Sequence, residues 1–103
     1  MKPEPTFDKD GYPTESTLDL IRQWSFGDLR GLAEFVCEAW QYDDYANIDG
    51  DKMELHTGGW SGNESLIEAL QDNTMFWMRC WMKSERGGHF WFELPGVVLE
   101  AGE

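Results

Sequence analysis

Few side chains in this sequence could do chemistry. There are two histidines, His56 and His89, and two cysteines, Cys37 and Cys80. A zinc site would have to draw on all four, yet no CxxC or HxxxH spacing supports one. An EF-hand loop centred on Gly50 gives Asn47 and Asp49 suitable places but puts Tyr45 and His56 where Asp and Glu are needed. Centred on Gly11, the same loop puts Thr6 and Thr17 there. Cys80 or Ser61 with a histidine would make a nucleophile and base, but no recognisable spacing points to the pair. No catalytic residue, metal or cofactor is therefore expected. His56 and His89 read as hydrogen-bonded sheet residues, and a small hydrolase using both is the weakest functional reading.

The segment Thr57-Gly58-Gly59-Trp60-Ser61-Gly62-Asn63 opens a helical pattern. Free N–H groups at a helix start can hold an anion. No Gly-Lys-Ser/Thr ends the segment, so it is not a P-loop, and its glycines do not fit GxGxxG. It reads as a tight strand-to-helix turn with Trp60 as a packing anchor.

Charge is more informative. Acids outnumber bases 20 to 8 in 103 residues, giving a net charge of −12. A nucleic-acid backbone binder needs the opposite balance. The chain is not a disordered acidic tail either: aromatics reach 15%, with six Trp and six Phe, enough to build a core. Residues 34 to 54 hold Glu34, Glu38, Asp43, Asp44, Asp49, Asp51 and Glu54 against Lys52 alone. Such a cluster is either a solvated face or a surface that imitates a row of phosphates and docks on the basic groove of another protein.

The elements that must position these residues follow from periodicity. Residues 1–13 carry three prolines and read as an extended arm. Thr14 or Ser16 caps a short helix over 15–24, with Leu18, Ile21 and Trp24 on one stripe. Asp28 caps a second, in which Leu29, Leu32, Ala33, Val36, Ala39 and Trp40 recur at helical spacing to near Gln41. Residues 42–51 read as a polar loop, and Lys52–His56 as a half-buried strand. Ser61 or Asn63 caps a third helix, which holds Leu66, Ile67 and Leu70 and stops at Asp72-Asn73. The aromatic runs 74–83 and 88–94 read as a β-hairpin. Val97, Val98 and Leu99 would add an edge strand or lie on the surface. The expected fold is α+β: an antiparallel sheet of about three strands with about three helices on one face, in the order ααβαββ. The organisation is an arm (1–13), one domain (14–95) and a tail (96–103).

Strand alternation then divides the hairpin. Phe76, Met78, Cys80 and Met82 share the helix side with Phe90, Phe92 and Leu94. Trp77, Trp81 and Trp91 are left on the other face among Arg79, Lys83, His89 and Glu93, with Glu54 and His56 joining if their strand belongs to the sheet. With Trp60, this is the aromatic candidate surface for a partner or ligand. Its occupant would be another protein, a nucleotide-like planar anion, a second copy of the chain, or the chain's own arm or tail.

The stretch His56-Thr-Gly-Gly-Trp-Ser-Gly-Asn-Glu-Ser-Leu-Ile-Glu-Ala-Leu70, then Met75-Phe-Trp and Arg86-Gly-Gly-His-Phe-Trp-Phe-Glu93, resembles a family of short uncharacterised proteins of bacteria and their phages. The likeness runs over residues 7 to 94 and is strongest in the TGGWSGNE and RGGH motifs. No activity goes with that family, so the likeness brings no site residues. It implies a prophage setting, where small acidic proteins often inhibit host machinery, anti-CRISPR proteins among them. Two readings result. The first is a non-enzymatic inhibitor of a host protein with a basic nucleic-acid-binding groove. The second is a small-ligand module using the Trp face and the glycine-rich helix start. With no apolar run that could span a membrane and no secretory signal behind Lys2, a cytoplasmic setting is expected.

Overall fold

A computed structural model describes residues 3–95, except the side chain of Asp43. The tail residues Val97, Val98 and Leu99, expected as an edge strand or a surface segment, lie outside the described residues. The chain order is α1 (Glu15–Gln23), α2 (Leu29–Ala39), β1 (Ala46–Asp49), β2 (Lys52–His56), α3 (Ser61–Asp72), α4 (Thr74–Cys80), β3 (Trp81–Glu85) and β4 (His89–Glu93). Over the described residues the fold is α+β, with four α-helices and one antiparallel sheet in the order β1-β2-β4-β3.

Capping chemistry starts the helices. The Thr14 hydroxyl accepts from the Thr17 N–H at 3.3 Å and opens α1. Asp28 does the same for Gly31 at 3.3 Å and opens α2. The segment before α1 folds back on it. Thr17, buried, donates to the Thr6 carbonyl at 3.0 Å and accepts from the Thr6 N–H at 2.8 Å.

One layer of helices covers one face of the sheet. Met53 and Leu55 of β2 and Phe92 of β4 point into it. There they join Ile21, Leu32, Phe35, Val36, Leu66, Leu70 and Phe76 in a single apolar cluster. The alternate strand residues Lys52, Glu54 and Glu93 are exposed, so the second face of the sheet is open. Helix α2 runs alongside β2 in the same direction. Arg30 donates to the Gly50 carbonyl and Asp51 at the start of β2, Cys37 meets Met53 midway, and the Trp40 indole donates to the His56 carbonyl at its end. Among the described residues no helix is long and apolar enough to cross a membrane.

Three expectations are corrected. Residues 42–51 are not all loop: a 3-10 turn at 43–45 leads into β1, and Gly50, at φ 63°, turns the chain into β2. The Gly50-Asp51 pair, the two residues between the paired Asp49 and Lys52, is the hairpin signal that the acidic composition obscures. Residues 74–80 are a helix, because Asn73 caps it: its side-chain oxygen accepts from the Phe76 N–H at 3.2 Å. Phe76 and Cys80, four apart, are the buried pair, whereas Met78, expected inside, is 82% exposed. In a run this uniformly apolar, periods of 2 and 3.6 cannot be separated. Finally, neither Ser61 nor Asn63 caps α3. The helix starts at Ser61 behind Trp60 with no side-chain cap, and Asn63 lies inside it, fully buried.

Asn63 joins three elements. Its Oδ1 accepts from the Gln41 N–H at 3.0 Å, and its Nδ2 donates to the carbonyls of Gln41 at 3.1 Å and Thr57 at 3.2 Å. Asn63→Ala would strand one donor and two acceptors. Each buried unpaired group costs about 1–3 kcal/mol, so a loss of about 3 kcal/mol is expected in urea unfolding. A loss below about 1 kcal/mol would show that water replaces the side chain.

Candidate functional site

Two surfaces stand out. The first is the margin formed by α2, β1 and the β1–β2 turn. Glu34, Glu38, Asp44, Asp49, Asp51 and Glu54 are all exposed. The backbone of Asp43 belongs to the 3-10 turn beside Asp44. Arg30, Glu34 and Glu38 recur every four residues along α2, so the stripe that begins at the turn as Arg30 continues past β1 as two carboxylates. The half-buried Cys37 lies between them. Burial first, then Glu34 and Glu38, pushes its thiol up to about 11. The two basic groups of the margin are both occupied: Arg30 pairs with Asp51 at 2.8 Å, and Lys52 with Glu93 at 3.2 Å.

The second surface is the open face of the sheet. Cross-strand pairing sets Glu54 opposite Trp91 and His56 opposite His89, then Lys83 opposite Trp91 and Glu85 opposite His89. The histidines touch: Nδ1 to Nδ1 is 2.8 Å. Glu54 lies 3.3 Å from His56 Nε2. These contacts fix the tautomers. A carboxylate accepts, so His56 carries its proton on Nε2 and presents a lone pair at Nδ1. His89 must then donate from Nδ1, and its free lone pair is at Nε2. That nitrogen lies beside Gly87, where a Cβ would come within 3.1 Å of it.

The structure brings His56, His89, Trp91, Lys83, Glu54 and Glu93 to one face, and leaves the other aromatic candidates elsewhere. Trp77 and Arg79 lie on α4, not on the strand expected there. Trp77 stacks on Trp81 at 5.9 Å and meets Phe90 and Phe92 edge-on, on the helix side. Trp60 faces the N-terminal segment, 5.0 Å from Tyr12, with its ring over Gly62. The expected single face carrying Trp77, Trp81 and Trp91 among Arg79 and the other charges therefore does not form. Among the described residues, no group of three or more His, Cys, Asp or Glu side chains could hold a metal ion. The Cys80 thiol, like that of Cys37, is pushed up by burial to about 11, so both stay protonated near neutral pH. Ser61 is bonded to the Tyr12 hydroxyl at 3.2 Å. The contact between the histidines, which lie 33 residues apart, is the feature the sequence hid.

No family model matches the chain, and neither a curated protein nor a solved structure matches it.

The tautomers can be read directly. Long-range nitrogen–proton NMR at mildly alkaline pH should show His56 protonated at Nε2 and His89 at Nδ1. The reverse assignment would contradict the relay from Glu54.

Proposed function

We propose that the chain is a small acidic binding module, of the phage or prophage type its sequence resembles, that docks on a basic groove of a host protein and blocks it. A groove built for nucleic acid is the favoured target, as in anti-CRISPR-like inhibition. The observation that carries this reading is the placement of the acids. Six exposed carboxylates gather on one margin, where the two basic groups are already engaged. Such a margin projects a negative field over about a Debye length, about 8 Å at physiological salt. Charge complementarity of this kind speeds association and selects a basic partner. The site needs no cofactor and asks for no reaction. The alternative, a small-ligand module, draws less support, because Trp60, Trp91 and the Trp77–Trp81 pair lie apart.

The test is charge reversal at exposed acidic positions of the margin. Asp44, Asp49 and Glu38 are exposed and cap no helix. The triple variant E38K/D44K/D49K should lose a salt-sensitive partner, captured from bacterial lysate at low salt, by tenfold or more, as expected when several charge pairs of about 0.5–1 kcal/mol reverse sign. Undiminished capture by a folded variant would exclude the acidic margin as the docking surface.

A further inference from the structure

The open sheet face already holds a cation. Lys83 Nζ lies 4.6 Å from the centroid of the Trp91 ring, within the range of cation–π attraction. Its side chain remains 60% exposed, so it can leave the ring without disturbing the core. Around the same ring stand acceptors. Glu54 is the neighbour on β2, Glu85 lies within 3.6 Å of Lys83, and His89, with its free Nε2 lone pair, packs 6.3 Å from Trp91 centre to centre. An aromatic plate rimmed by carboxylates and an imidazole acceptor complements one side chain above others: the arginine guanidinium. It is flat, permanently charged, and carries donors all round its edge.

We infer that Trp91, with Glu54, Glu85 and His89, is the receptor for an arginine side chain of the partner, and that Lys83 holds its place in the free protein. This rests on the reading of the chain as a module for a basic partner, and names the anchor within it. The acidic margin attracts the partner. The indole and its acceptors fix one arginine, and Lys83 moves off the ring as the guanidinium arrives.

The test measures binding of a short capped peptide of alternating arginine and glycine, followed by NMR at the Trp91 indole and by calorimetry. K83A should bind it about threefold more tightly, because the competing cation is gone. K9A removes the same unit of charge from the N-terminal segment and should change little. W91L should weaken binding about tenfold, with W91F in between. Equal effects of K83A and K9A, or a folded W91L that binds as tightly as the wild type, would overturn the receptor. Peptide held by W91L but lost from E38K/D44K/D49K would refute the Trp91 anchor and leave the acidic docking surface standing. Loss in W91L alone would do the reverse. Self-association abolished by W91L, with no peptide binding, would replace the arginine by a second copy of this chain and overturn the inference.

Discussion

The arrangement of this small fold depends on two buried asparagines at the joints between its elements. Asn63 binds both backbone groups of Gln41 and the carbonyl of Thr57, so the exit of α2, the exit of β2 and the first turn of α3 are locked together. Asn73 does the equivalent at the far end of α3. Its Nδ2 donates to the carbonyls of Ile21 and Trp24 at the end of α1, and its oxygen caps α4. Both amides are satisfied on their donor and acceptor sides. That is the condition under which a buried polar group specifies one packing instead of weakening it. A neighbouring contact is equally exacting. Gly88, at φ 83°, accepts at its carbonyl from the Thr57 N–H, and any Cβ there would collide with the Thr57 hydroxyl. The RGGH and TGGWSGNE motifs thus meet at one corner of the sheet.

Once these joints are fixed, all helices lie on one side and the other face of the sheet is left to solvent. That asymmetry separates the charges. The acidic margin follows β1 and α2, whereas Lys83 and Arg86 belong to the β3–β4 hairpin at the opposite edge. Asp49 at the end of β1, with Asp44 before the strand and Asp51 after it, also discourages edge-to-edge pairing, so the same residues that would steer a partner protect the exposed strand from self-association. A net charge of −12 works against compactness through self-repulsion. The ion pairs of Arg22 with Glu15, Asp19 and Asp72 offset part of it where α1 meets α3.

Much of this was legible in the chain. Asp28 caps α2 as its residue type implies, and the apolar spacing of Leu29, Leu32, Ala33 and Val36 marks the buried stripe. The alternation of Lys52–His56 and of residues 89–93 gave the central strands and the correct sides for Glu54, His56, His89 and Trp91. What stayed hidden has local causes. The run 74–80 is apolar at nearly every position, so its helical period carries no contrast, and the deciding residue, Asn73, looks like a helix stop. It is one, for α3, and also the start of α4. Strand β1 has only four residues, half of them polar. The contact between His56 and His89 depends on β4 pairing with β2 instead of lying outside β3, a matter of topology that no local pattern encodes.

The central claim is that this fold offers its acidic margin, α2 carboxylates included, and its open sheet face, and not the surface of α4, to a basic partner. Mapping amide and indole NMR shifts while the arginine–glycine peptide is added tests it most directly. The account predicts changes concentrated at Asp44–Glu54, at Lys83–Glu85 and at His89–Trp91, fading as salt is raised. Changes centred on the exposed methionines of α4, Met75 and Met78, or a response indifferent to salt, would contradict it.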